Sequence, residues 1–487
     1  MRALKRIILA LSLVVGLGLQ SEAQISNTIF FMNGVPQSHR INPAYQPACT
    51  FYLGFPMLSP ARMEVSSNPL AWSDVIYPHP EGDVDSLITF MHPEGDKEKF
   101  LRQLKRLNYV ASDFGSSLGS LGFRTPVGFF SLEVTSRWSG NVYYPGDLAR
   151  LLINGAEDNE TYELRGIGVD LSLFNEISVG WSYQLMENLH IGARAKVLFG
   201  MANLSTRRSD LSVYTSEERW TIDSDMLFNA SLPFAEVTYG EEGEPPEIEL
   251  KDDFEDFSPG MIPAYALNGK NFGLGLDLGI NYRPVEQLQV SVSLTDLGYI
   301  SWKDEIHEVS YRTTYDFVGF EVNPFDFSED FTFEDYMDST LNQMVDSLSG
   351  FLKFIPAGPY TKRLNTKLYV GASYYVTPKI NFGLLSRTDF LSRRVAEQVT
   401  ASANITTGRM LNFTLSYSYM NSYFKNIGAG VSFNLWPLNL YLVSDNALNA
   451  LFWPQEAHSV NLWFGLNLVF GYKKLLKGPE ADRPLVY

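Results

Sequence analysis

The chain has 487 residues, a single cysteine and a formal net charge of −17. That acidic excess argues against a nucleic-acid partner, whose phosphates need basic patches, and one cysteine excludes an internal disulfide or a thiolate metal cluster. A mean hydropathy of −0.09 excludes a bundle of membrane-spanning helices, whereas an aromatic content of 14% suits a membrane barrel with a girdle at each interface.

Residues 1–23 read as a signal peptide. Arg2, Lys5 and Arg6 precede an apolar stretch from Ile7 to Leu19, and Ser21-Glu22-Ala23 presents small residues for a cut before Gln24. The apolar stretch is shorter than the roughly 20 residues a spanning helix needs. Residues 24–50 come before the first strand and include Asn42-Pro43-Ala44. Cys49 lies too far beyond the cut to be a lipidated first residue and reads as a small buried apolar side chain.

Strands follow. The first expected ones are 51–62, 113–125, 127–138 and 163–185, the last read as one long strand because Ile167 to Tyr183 keep a single phase. Ile191, Ala193, Ala195, Val197 and Phe199 mark the next. Leu274 to Tyr282 turn through Arg283-Gln287 into Leu288, Val290, Val292 and Leu294. Leu368 to Val376 turn at Thr377-Pro378 into Ile380, Phe382 and Leu384, and Val399 to Ile405 turn at Thr407-Gly408. The clearest alternation is Leu411, Phe413, Leu415, Tyr417 and Tyr419, interleaved with Asn412, Thr414, Ser416 and Ser418. A strand with such faces is apolar on one side and wet on the other. Strands at 423–435, 437–446 and 457–472 complete the set. The expected fold class is all-β: a transmembrane antiparallel β-barrel of about 14 strands. It spans 51–472, preceded by residues 24–50, with long and partly helical extracellular loops and a periplasmic tail over 473–487. Localisation in the outer membrane of a Gram-negative cell follows, with lipid and the barrel-assembly machinery as partners.

The long connections are expected at 63–112, 139–162, 202–269 and 304–362. Three carry helical stripes: Phe100, Leu101, Leu104 and Leu107; Leu148, Leu151 and Leu152 behind Pro145 at N1; and Met337, Leu341 and Met344. Leu101, Leu104, Leu148, Leu151, Leu152, Met337, Leu341 and Met344 are candidates for an apolar outer groove, or for a cap packed on itself. Residues 241–256 hold nine acids and read as a solvated loop rather than a cation site. The six histidines are scattered, with no pair at metal-ligand spacing, so neither a metal nor a cofactor is expected. His190 faces inward, but no triad forms around it in sequence, and catalysis is not expected.

Register places Glu133, Arg137, Asp170, Glu176, Arg194, Lys196, Asp277, Arg387 and Asp389 on the lumen side. They line a polar conduit, grip a plug, or pair with one another as structural ions.

The tripeptide Asn42-Pro43-Ala44, placed behind a signal peptide and before about 14 strands, resembles the FadL-like barrels, the long-chain fatty acid transporter family of outer membranes. That resemblance implies an N-terminal plug or hatch over 24–50 inside the lumen, including Asn42, Pro43 and Ala44, and outer grooves that capture acyl chains. Asp296-Leu297-Gly298 with Trp302 resembles a strand-ending pattern of the PorV-like branch of that group, which works with type IX secretion, and the segment Gly146–Leu152 with Asn154-Gly155 is similar to members of the broader group. Two functions are therefore expected: an outer-membrane barrel that binds or transports an apolar small molecule, or an accessory barrel that scaffolds secreted or surface proteins.

Overall fold

The computed structural model describes residues 26–32, 34–68, 70–79, 86–238, 247–251, 265–318, 352–407, 410–420, 423–452 and 457–471. The expected signal peptide, the tail 473–487, the helical stripe with Met337, Leu341 and Met344, and most of the acidic 241–256 stretch lie outside these residues.

Fourteen antiparallel strands close into a barrel. They are β1 (Phe51–Gly54 and Ala61–Ser67), β2 (Leu107–Thr125), β3 (Gly128–Pro145), β4 (Gly168–Met186), β5 (Leu189–Thr215), β6 (Phe272–Val285) and β7 (Leu288–Trp302). Then come β8 (Tyr360–Arg363 and Thr366–Thr377), β9 (Ile380–Phe390), β10 (Val395–Thr407), β11 (Leu411–Met420), β12 (Tyr423–Leu435), β13 (Leu438–Ser444) and β14 (Ser459–Phe470). Each strand pairs with its sequence neighbour, and β1 closes the circle by pairing with both β2 and β14. Closure leaves no sheet edge among the barrel strands, which is what a strand-built membrane span requires. Among the described residues, no helix is long and apolar enough to cross a membrane.

Burial is inverted relative to a water-soluble core. Phe413, Leu415 and Tyr417 are exposed while Asn412, Thr414, Ser416 and Ser418 are buried. Leu274, Leu276, Leu278 and Ile280 on β6, and Leu438, Leu440 and Leu442 on β13, repeat the pattern. Large apolar side chains on the outside and amides and hydroxyls within are the arrangement of a wall that faces lipid. Trp181, Tyr183, Tyr282 and Tyr374 lie outside, beside short turns, where an interfacial girdle belongs.

Three differences from the expected strands have local causes. The first strand is interrupted at Phe55–Pro60, where Pro56 and Pro60 have no N–H to give the ladder. Residues 168–186 form one strand, as the unbroken phase predicts; its start is Gly168 rather than 163. In β5, Met201 bulges out of the pairing with β4, and the strand runs on to Thr215 where a loop was expected. That far end pairs with Trp220–Ser231, which pairs with Ile306–Phe317, which pairs with Leu352–Pro356. Beyond the lipid both faces of a strand meet polar surroundings, so Arg207, Arg208, Asp210 and Ser212 show no alternation to read.

At this loop end of the barrel, α1 (Lys97–Gln103) is capped by Asp96, whose Oδ1 accepts Lys99 N–H at 2.8 Å. Leu104 caps the far end and Leu107 begins β2, so the expected stripe is only partly helical. In α2 (Gly146–Asn154), Pro145 is the N-cap rather than N1.

Candidate functional site

Residues 26–32 and 34–50 lie inside the barrel, buried along nearly their whole length. A mixed sequence makes this possible: polar residues bond to the wet inner wall and apolar ones pack on each other. Ile29, Phe30, Phe31, Met32, Val35, Ile41 and Tyr45 cluster with Tyr369, Leu385, Tyr441, Val443 and Trp463 from the wall. Phe30 stacks on Tyr369 with centroids 6.4 Å apart and meets Tyr45 edge-on at 5.7 Å.

Polar anchors tie the segment to distant strands. The Asp445 carboxylate, just past β13, accepts from Ser26 Oγ at 2.6 Å, Asn27 N at 2.7 Å, Thr28 N at 2.8 Å and Thr28 Oγ1 at 2.5 Å. Gln37 Nε2 donates to Asn467 Oδ1 at 2.5 Å. Arg40 Nε donates to Glu133 Oε2 at 2.8 Å, and its Nη2 donates to Thr135 Oγ1. Arg124 reaches Gln46 Oε1 at 2.5 Å and the Pro47 carbonyl at 2.8 Å.

Asn42-Pro43-Ala44 is pressed against the wall. Asn42 Oδ1 accepts Ala44 N–H at 2.9 Å, and Asn42 Nδ2 donates to the Ile280 carbonyl at 3.2 Å. The wall yields here because Gly192 on β5 and Gly279 on β6 have no side chains. A Cβ at Gly192 would meet Pro43 and Ala44 backbone atoms, and one at Gly279 would meet Asn42 Oδ1. Gly371 and Gly383 make the same room for Phe30 and Phe31.

The lumen charges converge as one network. Arg194 Nη2 lies 2.6 Å from Glu133 Oε2 and 3.2 Å from Glu176 Oε1. Arg137 is bidentate to Asp296 at 2.7 and 2.9 Å and donates to Glu176 at 3.0 Å. Lys196 Nζ bridges Asp277 at 2.7 Å and Asp296 at 2.6 Å, and Lys367 Nζ reaches Asp296 at 3.4 Å. Mutual pairing of this kind is what lets buried charge persist. A cavity of about 20 Å³ lies among Arg62, Arg137, Glu176, Lys196 and Asp296, room for about one water.

All nine expected lumen charges face inward. Six of them, Glu133, Arg137, Glu176, Arg194, Lys196 and Asp277, share this network. Arg387 and Asp389 pair separately at 2.6 Å, with Arg387 Nη1 donating to Asn27 Oδ1 at 3.3 Å. Asp170 sits towards the loop end, bonded to Lys362 and, at 2.6 Å, to Ser392.

Asp296 escaped the register argument. Even-numbered Val290, Val292 and Leu294 point to lipid, so Asp296 reads as outward. Its φ of +59° makes a bulge opposite Asp277, its N–H donates to Asp277 Oδ1 at 2.7 Å, and its side chain turns inward. Beyond the bulge the phase inverts: Leu297 and Tyr299 face out, and Trp302 is fully buried. Arg40 and Asp445 were also missed, since a plug residue and a strand-end acid carry no signal until the barrel closes; Lys367 was missed although it lies on the inward phase of β8, opposite in face to Val370.

Leu148 and Leu151 pack on a cluster with Tyr162, Leu164 and Val213. Leu101 and Leu104 are half-buried, and Leu152 is exposed. His79 and His92, which have no metal-ligand spacing in the sequence, come together with Glu94 in the fold.

A family model described as "Family of unknown function (DUF5723)" matches residues 43–445. The chain belongs to this family. No curated protein matches it in sequence. Among solved structures the chain is similar to the Ralstonia pickettii toluene transporter TbuX, at 10% identity and a TM-score of 0.36 over 92% of this chain and 95% of that one. It is similar also to the P. putida toluene transporter TodX, at 8% identity and 0.37 over 93% and 96%. A third is a Pseudomonas aeruginosa FadL homologue, at 8% and 0.39 over 93% and 99%. For this family member, the described lumen is thus a polar wall, a paired charge network and an internal segment with an apolar centre.

Proposed function

We propose that this DUF5723 barrel resides in the outer membrane, binds an apolar small molecule, and passes it through the lumen when residues 26–50 shift. The observation that carries the reading is the apolar cluster that the internal segment builds with the inner wall, where Phe30, Phe31 and Met32 meet Tyr369, Leu385 and Trp463. A pore for hydrophilic solutes has no use for such a constriction. An apolar molecule taking the place of Phe30 and Phe31 keeps the facing aromatic surface out of water. Leu152, Leu101 and Leu104 at the loop end offer first contacts, and Asn42, Pro43 and Ala44 close the route at the turn end. Glu133, Arg194 and Arg137 hold the segment in place through Arg40 and its neighbours. The lipid-facing belt, the even strand number and the short turns support the location.

Purified protein titrated with a fluorescent long-chain fatty acid and with toluene tests the binding, and liposome swelling with a sugar tests the seal. Saturable binding of an apolar probe is expected, with sugar passing only when residues 26–45 are deleted. Sugar passage through the intact protein, or no binding of either probe, would refute the reading.

A further inference from the structure

A second chemistry sits at the loop end, in the connection between β1 and β2. Residues Ile76–Pro78 pair with Leu87–Thr89 as a short hairpin. His79 leaves one arm of it, and the other arm runs through Phe90 into a turn that carries His92 and Glu94. The Nε2 of His79 lies 2.8 Å from Glu94 Oε2. The rings of His79 and His92 meet edge-on, with centroids 5.6 Å apart and planes at 74°. One ligand atom from each of His79, His92 and Glu94 lies within 4.8 Å of the other two.

We infer that His79, His92 and Glu94 form a binding site for a divalent transition-metal ion, of the zinc and copper class, with its remaining coordination open to water or to a group arriving from outside. Two imidazoles and one carboxylate are the donors such ions prefer, whereas calcium and magnesium take oxygen sets. Bond lengths near 2.1 Å in a tetrahedral site put ligand atoms about 3.4 Å apart. His79 and Glu94 are already closer than that. The ion takes the His79 Nε2 lone pair, the single ring proton passes to Nδ1, and the contact with Glu94 gives way to two metal bonds. His92 needs only a side-chain adjustment. Its Nδ1 accepts Glu94 N–H at 3.2 Å, a long bond that ligation through Nδ1 exchanges for the metal.

The three residues do not hang on a free loop. Gly95 N donates to the His92 carbonyl at 2.8 Å, and a Cβ at Gly95 would fall 2.6 Å from the Phe90 and Thr89 carbonyl oxygens. Tyr77 Oη accepts Asp96 N–H at 2.7 Å, tying the turn back to the hairpin. Phe90 stacks on Phe100 of α1 with centroids 3.9 Å apart. A donor set held this way is preorganised before the ion arrives.

The test is calorimetric titration of Zn²⁺ into the intact, tag-free barrel in detergent, with Ca²⁺ and Mg²⁺ as comparisons. One zinc equivalent is expected, with no response to the other two ions. Zinc affinity in the His79→Ala, His92→Ala double variant should fall by about 100-fold or more, and in Glu94→Gln by about tenfold. Unchanged heat-modifiable mobility on gels establishes that each variant barrel is folded. Co²⁺ substitution reads the same site optically, through a d–d band that the double variant lacks. Failure of the wild type to bind zinc, or equal binding by the double variant, overturns the inference.

Discussion

Replacing Asp445 with alanine should undock the start of the lumen segment while leaving the wall intact. The carboxylate accepts four hydrogen bonds from Ser26, Asn27 and Thr28, at 2.5 to 2.8 Å. A bond to a charged acceptor contributes about 1.5–3 kcal/mol net. Four that share one carboxylate are not additive, so about 4–6 kcal/mol is a reasonable total. That corresponds to roughly a 10³- to 10⁴-fold rise in the undocked population. The wall itself loses little, because β13 and β14 pair through backbone bonds from Leu438 to Val443. Accessibility is read with a Val35→Cys reporter in a Cys49→Ser background, labelled by a water-soluble maleimide. Val35 is 1% exposed, so labelling measures opening. The expected outcome is labelling at least about 100-fold faster in Asp445→Ala with unchanged heat-modifiable mobility. An unchanged rate, or loss of the folded band, would show that Asp445 does not serve as an anchor.

Gly279→Val should push Asn42 off the wall and admit sugar in liposome swelling, whereas Ile280→Val, which faces lipid, should not. Arg137→Ala removes the bidentate partner of Asp296 and a 3.0 Å donor to Glu176 and should lower unfolding stability in urea by about 3–5 kcal/mol; a change below about 1 kcal/mol would mean that Lys196 and Lys367 suffice. Leu415→Arg on the lipid face should cost about 2–4 kcal/mol in vesicle-based unfolding, and Ser416→Ala on the lumen face about 1 kcal/mol.

Much of the wall was legible in the residues because strand faces are a local property. Leu411 to Tyr419 declare their two sides without reference to any other strand, and the same rule named nine lumen charges, all of which face inward. It failed at Asp296, where a left-handed bulge swaps the faces partway along β7. It failed again in the far end of β5, where no lipid imposes a greasy side.

What the sequence by itself determined is thus the barrel, its strand number and, outside the Asp296 bulge and the far end of β5, the side on which a strand residue lies. Which charges touch, and what fills the lumen, only closure decided. Ser26 meets Asp445 across 419 positions of chain, Asn42 needs the bare Gly279 two hundred residues on, and Arg40 completes a network begun on β3, β4 and β5. His79 and His92 face each other because a hairpin folds between them. Alternation along a strand is set by the backbone over two residues; proximity across a lumen is set by how fourteen strands close, and no two-residue pattern carries that information.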